Sequence, residues 1–118
     1  MAYNKRKTGA LYEQKAGAYL REKGYEVLEY NYRCKQGEID IIAKDGEYLV
    51  FCEVKYRSDT GSGYPQEAVN YKKQRTLSRC ALFYIAEKGF SYLPCRFDVV
   101  AITDQKVELI KNAFEYIG

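Results

Sequence analysis

Acidic and basic side chains interrupt two apolar runs of this sequence, where charge is not expected. Asp40 lies within the run Ile39–Ala43, and Glu53 and Lys55 lie at the end of the run Tyr48–Val54. Burying an unpaired carboxylate is costly, so acids at these positions indicate that the protein uses them. Two neighbouring carboxylates can share one hard cation such as Mg²⁺, and a lysine beside them supplies a positive donor.

A β-hairpin would bring these charges together. Asp45-Gly46 separates the two β-branched and aromatic runs, and Asp-Gly in that position is a strong hairpin signal. With Asp45-Gly46 as the loop, Asp40 lies opposite Phe51. Asp40, Glu53 and Lys55 then share one face of the sheet, because side chains alternate along a strand. Asp40 and Glu53 become diagonal neighbours about 7–8 Å apart.

The same charges have a second interpretation, a cross-strand charge cluster on a solvated sheet face. In the predicted register Leu49 and Phe51 lie on the same face as Glu53, so that face is not uniformly polar. The residues alone leave both interpretations open.

Composition excludes several classes of chemistry. The chain has 118 residues and no histidine, which excludes Ser-His-Asp and Cys-His catalysis and histidine-dependent zinc hydrolysis. We predict one domain, residues 1–118, with a basic N-terminal arm at residues 1–8. No apolar run approaches the ~18 residues of a membrane span, and no apolar segment follows the basic N-terminus. We therefore expect a cytoplasmic protein without a membrane partner.

The four cysteines show no CxxC spacing. Cys52 and Cys80 fall at apolar positions, which predicts small buried side chains. Disulfides are not expected in a protein without a signal peptide. A zinc site of four cysteines is the alternative.

Positive charge is concentrated in two stretches without acids, residues 1–12 and 68–86. Stretches of one sign are typical of a surface that binds a polyanion, and we predict a nucleic acid, most readily DNA. A solvated helix face is the alternative interpretation. The candidate contacts are Lys72, Lys73, Arg75, Arg79 and Arg57.

Further helices and strands must hold the hairpin in place. Apolar spacing and end signals predict helices at Gly9–Lys23, after a Thr8 cap, and Gln66–Lys88, and strands at Tyr25–Arg33, Cys95–Thr103 and Lys106–Ile110. The second helix connects the hairpin to the following strand, so a crossover should make that strand parallel to part of the hairpin. The predicted fold class is α/β, a mixed sheet flanked by helices.

Three charged residues on these elements stand out. Glu13 is the only charged residue in a stripe of small and apolar residues on the first helix, which makes it a candidate functional acid. The alternative interpretation is a glutamate at the edge of the stripe whose carboxylate reaches water. Lys73 lies on the inward face of the second helix, where lysines commonly extend their ammonium to solvent. Asp98, within Arg96–Val100, is predicted to be a structural, hydrogen-bonding or ion-pairing acid.

Three sequence blocks occur in a recognisable order: Gly37–Ala43 (Gly-Glu-Ile-Asp-Ile-Ile-Ala), Phe51–Arg57 (Phe-Cys-Glu-Val-Lys-Tyr-Arg) and Arg96–Ile102 (Arg-Phe-Asp-Val-Val-Ala-Ile). This set resembles the YraN-like family over residues 9–102, a family related by fold to archaeal Holliday-junction resolvases. Asp40 followed by Glu53-Val54-Lys55 resembles the Asp…Glu-X-Lys core of the restriction-endonuclease-like (PD-(D/E)XK) superfamily.

The resemblance implies a restriction-endonuclease-like mixed β-sheet core flanked by helices. It further implies a Mg²⁺- or Mn²⁺-dependent nuclease, with branched DNA among its candidate substrates. Glu13, Asp40 and Glu53 would be metal ligands, Lys55 would act in catalysis with Asp40 and Glu53, and Gln74 would be an accessory residue. The alternatives are a non-catalytic nucleic-acid-binding module and a small interaction protein with structural acids. Monomer and homodimer both stay open.

Overall fold

A computed structural model describes residues 5–57, 69–104 and 106–118 of the chain. In these ranges the elements follow the order α1 (Lys5–Glu22), β1 (Glu26–Cys34), β2 (Gly37–Asp45), β3 (Tyr48–Tyr56), α2 (Tyr71–Lys88), β4 (Cys95–Ile102) and β5 (Val107–Phe114). None of the helices in these ranges is long and apolar enough to span a membrane.

The five strands form one mixed sheet in the order β1-β2-β3-β4-β5. All neighbouring pairs are antiparallel except β3 and β4, which are parallel. A parallel pair needs a long crossover, and α2 lies in the chain between these two strands. The prediction of an α/β fold with a mixed sheet, and with β4 parallel to the hairpin, is confirmed.

Each face of the sheet is covered by one helix. On one face α2 packs with the strands through a cluster that includes Leu77, Cys80, Tyr84, Phe51, Phe97 and Val99. On the other face α1 packs through a cluster that includes Ala16, Leu20, Ile41, Val50, Cys52 and Val100. The central strand β3 is consequently buried from Leu49 to Glu53, and it carries a charged residue at the end of this buried stretch.

Both helices begin at different residues from those predicted. Helix α1 starts at Lys5, so Thr8 lies inside it and is not its cap; the lysines and arginine before Gly9 are good helix formers. Helix α2 starts at Tyr71, because the Asn70 side chain accepts a hydrogen bond from the Lys73 backbone N–H at 2.9 Å. The predicted start at residue 66 lies outside the described residues.

The predicted register of the hairpin is wrong by two residues. Asp45 pairs with Tyr48, which leaves Gly46-Glu47 as the loop, and Phe51 pairs with Ile42 and not with Asp40. The Asp45 carboxylate lies 2.8 Å from the Arg96 guanidinium, and this ion pair holds Asp45 at the strand end. Because the shift is an even number of residues, it does not by itself exchange the two faces of the sheet. Alternation is nevertheless interrupted at Asp40, since Ile39 and Ile42 both lie in the cluster on the α2 side and Ile41 lies in the cluster on the α1 side.

Asp98 is a structural acid, as predicted. Its side chain is fully buried, and its carboxylate accepts hydrogen bonds from the Tyr25 hydroxyl, the Arg96 guanidinium and the Asn112 backbone N–H, each at about 2.9 Å. These bonds connect β4 to Tyr25, the residue before β1, and to β5. All four cysteines are free thiols, and Cys52 and Cys80 are buried, as predicted.

Candidate functional site

The site begins where β2 and β3 separate. Their paired residues run from Asp45 and Tyr48 to Ile41 and Cys52. Beyond this point β2 continues to pair with β1, and the Asp40 carboxylate accepts a hydrogen bond from the Val54 backbone N–H at 2.9 Å. The side-chain oxygen of Asp40 therefore accepts the hydrogen bond that a β2 backbone carbonyl would otherwise accept, and this bond holds the Asp40 carboxylate between the two strands.

Glu53 is the buried member of the site, with only 3% of its surface exposed. Burial raises the pKa of its carboxyl to about 8, and the hydrogen bond to Asp40 and the charge of Asp40 add to that increase. The charges of Lys73 and Lys55 oppose the increase. Burial and the neighbouring Asp40 therefore favour the protonated form of Glu53 in the metal-free protein, and the two lysines favour its carboxylate.

Lys73 forms the ion pair with Glu53. Its ammonium Nζ lies 3.5 Å from Glu53 Oε2, so the inward lysine of α2 is directed at the acids. Lys55 lies two residues after Glu53 on β3 and therefore projects to the same face. Both lysines are partly exposed, which leaves them accessible to an anion that approaches the site.

A second group of acids meets Asp40 from the other side. Oxygen atoms of Glu13, Glu38 and Asp40 all lie within 4.8 Å of one another, and each of these side chains is half-buried. Burial is the largest cause of the raised pKa of Glu13; the charges of Asp40 and Glu38 add to it, and a hydrogen bond with the Asn31 side chain opposes it. Asp40 contacts both groups and is the centre of the cluster.

We call Glu13, Glu38, Asp40 and Glu53 the carboxylate cluster. The structure places Asp40 of β2 in contact with both other predicted ligands, Glu13 of α1 and Glu53 of β3, while the group within 4.8 Å of one another comprises Glu13, Glu38 and Asp40. It adds Glu38, which the sequence-based selection missed although it lies two residues before Asp40 on the same strand. It also adds Asn31, whose side chain has a hydrogen bond with Glu13. Asn31 has a φ of +53°, a conformation that asparagine tolerates better than most residues. No pattern in the sequence indicated this residue.

The predicted nucleic-acid contacts divide into two groups. Lys72, Arg75 and Arg79 are exposed, and their spacing of three and four residues places them along one side of α2. Lys73 lies off this stripe, at the carboxylate cluster. Arg57 is exposed after β3, and its backbone N–H donates to the Ile102 carbonyl at 2.9 Å.

Gln74, the predicted accessory residue, is bound to the backbone. Its side-chain amide donates to the Val69 carbonyl at 2.9 Å, and its backbone N–H donates to the Asn70 carbonyl. Gln74 therefore secures the start of α2, one residue after the lysine that contacts Glu53.

The chemistry of the carboxylate cluster suits a hard cation. Mg²⁺ and Mn²⁺ prefer oxygen ligands, and Mg²⁺ commonly uses one or two carboxylates with several waters. The cluster offers four carboxyl groups, and the pKa of one of them, Glu53, is raised, so a cation would compete with a proton there. Fold and site together define an α/β protein with a carboxylate cluster at the point where two central strands diverge.

Comparison with known sequences assigns the family. Residues 12–102 match the model of the Uncharacterised protein family UPF0102. Among curated relatives, a UPF0102 protein of Lachnoclostridium phytofermentans is 46% identical over 116 residues, which cover 98% of each chain. A UPF0102 protein of Syntrophus aciditrophicus is 51% identical over 92% of this chain and 89% of its own length. The chain belongs to the UPF0102 family, which confirms the predicted YraN-like relationship.

Proposed function

We propose that this protein is a metal-dependent nuclease with a restriction-endonuclease-like fold, acting on phosphodiester bonds of DNA. The observation that carries the proposal is the carboxylate cluster, in which acids from α1, β2 and β3 meet where β2 and β3 separate. Three of its carboxyl groups lie within 4.8 Å of one another, and the fourth, that of Glu53, has a hydrogen bond with Asp40. Like charges at such distances repel each other, and a cation relieves that repulsion.

The residues of the cluster have distinct roles in this proposal. Glu13, Asp40 and Glu53 hold Mg²⁺ or Mn²⁺, and Glu38 adds a fourth carboxylate beside Glu13. The metal, when bound, would lower the pKa of a coordinated water and neutralise charge on the phosphate. Lys73 orients Glu53 through the ion pair, and Asn31 orients Glu13.

The remaining basic side chains act on the substrate, Lys55 in the transition state and the others in binding. Lys55 donates to a phosphate oxygen as negative charge develops on it, because its ammonium lies on the face of β3 that carries Glu53. The exposed stripe of α2 contacts the phosphate backbone on either side of the scissile bond through Lys72, Arg75 and Arg79, with Arg57 as a further contact.

Replacement of Lys55 tests the catalytic part of the proposal. Lys55→Met retains the packing of the stem and removes the charge, so we expect metal and DNA binding to persist and the cleavage rate to fall by about 10²–10³-fold. The assay uses duplex, single-stranded and branched DNA with Mg²⁺ or Mn²⁺. Asp40→Asn is the control for a contaminating nuclease, and Glu87→Gln removes an exposed acid far along α2. Cleavage that persists unchanged in Lys55→Met and Asp40→Asn would refute the assignment.

One observation favours a second candidate, a nucleic-acid-binding module that cleaves nothing. Glu53 already has a hydrogen bond to Asp40 and an ion pair with Lys73, so its burial is compensated without a cation. In that case the protein would bind DNA through α2, and wild type would cleave none of the three substrates with either metal.

A further inference from the structure

Two free cysteines face each other where the end of β1 meets α2. Cys34 is the last residue of β1, and Cys80 lies in the middle of α2. The Cys34 thiol donates to the Cys80 sulfur, with the two Sγ atoms 3.3 Å apart. We propose that Cys34 and Cys80 are an oxidisable pair that forms a reversible disulfide, which links the β1–β2 turn to α2.

The backbone just after the β1–β2 turn lies close to side chains of α2. At Gly37, just after the β1–β2 turn, an added Cβ would lie 2.5 Å from the Thr76 side chain of α2. A disulfide has an S–S distance of about 2.05 Å, so the sulfurs must approach by roughly 1.2 Å from their present separation. Rotation of the two side chains is the movement that the proposal requires for this approach.

The two thiols differ in accessibility, and this difference sets the order of reaction. Cys80 is fully buried, and burial together with the neighbouring Cys34 raises the pKa of its thiol to about 12. Cys34 is only half-buried and is the sulfur that an oxidant reaches. With hydrogen peroxide as the oxidant, Cys34 becomes a sulfenic acid and one water is released.

The second step closes the bond. The Cys80 sulfur attacks the Cys34 sulfur, the S–O bond of the sulfenic acid breaks, and its oxygen leaves as water with the Cys80 proton. The two thiols lose two electrons and two protons, and both peroxide oxygens become water. A dithiol reductant reverses the reaction by two exchange steps.

The other cysteines lack this arrangement. Cys52 donates its thiol to the Glu53 carbonyl, and Cys95 donates to the Leu93 carbonyl. Each of these thiols therefore faces a backbone oxygen and not a second sulfur. Cys95 is exposed, so its thiol could form a disulfide between two molecules. A test of the proposal therefore removes Cys95.

The disulfide would join the two segments on either side of the carboxylate cluster. Glu38 lies four residues after Cys34, and Lys73 lies seven residues before Cys80 on the inward side of α2. A cross-link closing a loop of 46 residues restricts the unfolded chain and raises Tm by about 5–15 °C. An effect on metal or DNA binding would rest on the proposed function; the disulfide itself does not.

Oxidation of a Cys95→Ser variant tests the proposal. After peroxide treatment and alkylation of the remaining thiols, peptide mass spectrometry should find Cys34 joined to Cys80, with two thiols lost and both recovered by dithiothreitol. Tm should rise on oxidation and return on reduction. The matched control, Cys34→Ser with Cys95→Ser, should retain an alkylatable Cys80 after denaturation and show no change in Tm.

Two results would overturn the proposal. One is Cys34 oxidised to its sulfinic acid while Cys80 remains a thiol, and the other is retention of both thiols under oxidation. Peptide mapping of the Cys95→Ser protein detects either result by itself, so the test is decisive even if the Cys34→Ser control folds poorly. The mapping uses neither metal nor DNA, so its outcome is separate from that of the nuclease proposal.

Discussion

Removal of one carboxylate from the cluster should stabilise the metal-free protein. Glu13→Gln is the most informative change, because the amide retains an oxygen that accepts a hydrogen bond from Asn31 and because glutamine and glutamate have similar helix propensity. The variant removes the repulsion between Glu13 and its two neighbours, Glu38 and Asp40. It also removes one ligand of the proposed metal.

The size of the effect follows from the geometry. At 4.8 Å, the upper limit of the separations in the group, two unit charges repel by about 1 kcal/mol in water and by about 3.5 kcal/mol at an effective dielectric constant of about 20. The acids are half-buried, and the pKa of Glu13 is raised, first by burial and then by the charges of Asp40 and Glu38, so proton uptake relieves part of the repulsion. We therefore expect Glu13→Gln to increase the free energy of unfolding by about 1–2 kcal/mol, or Tm by about 3–8 °C.

The assay is thermal unfolding of wild type and Glu13→Gln in chelator and in Mg²⁺ or Mn²⁺. In chelator the variant should be the more stable protein, and the metal should raise Tm of wild type more than that of the variant. Glu87→Gln, which removes the same charge from an exposed position on α2, should show neither effect. A variant less stable than wild type in chelator, or an equal response of both proteins to the metal, would refute the reasoning.

Two further predictions concern pH and salt. Folding raises the pKa of Glu53 from 4.5 to about 8, so its contribution to the stability of the metal-free protein is present below pH 4.5 and is lost as the pH rises through about 8. In chemical denaturation, Glu53→Gln should flatten this fall of stability with pH. An unchanged pH profile would contradict the assigned pKa. If α2 binds the DNA backbone, the logarithm of affinity should fall with the logarithm of salt concentration with a slope of about 0.9 per neutralised phosphate. Replacing Lys72, Arg75 and Arg79 by alanine should reduce that slope. Binding that is insensitive to salt would exclude this surface.

Local patterns predicted the elements of the fold but not the exact pairing of its strands. The Asp-Gly signal located the hairpin, and alternation predicted that Asp40 and Glu53 share one face, whereas the Asp40 carboxylate lies between β2 and β3 and accepts a hydrogen bond from the Val54 backbone N–H. The loop is displaced because Asp45 is held by Arg96 of β4 and lies 3.6 Å from Lys111 of β5. No pattern within the hairpin contains information about partners on two later strands.

The candidate site was likewise predictable only in part. Glu13 was distinguished because a charged residue interrupts an apolar stripe, a local feature of α1. The pair of Lys73 with Glu53 joins residues far apart in the chain, so the sequence marked Lys73 only as an inward lysine without a known partner. Asn31 was missed because its role depends on a backbone conformation that the residue type permits but does not require.

Calorimetric titration of Mg²⁺ or Mn²⁺ into wild type and the double variant Asp40→Asn/Glu53→Gln tests the central claim most directly. Both substitutions retain side-chain size and remove the charges of the two acids that meet between β2 and β3. The carboxylate cluster predicts saturable binding to wild type, with protons released as Glu53 loses its proton, and loss of that binding in the double variant. Equal binding by both proteins, or no binding by wild type, would contradict the claim that this cluster holds a metal.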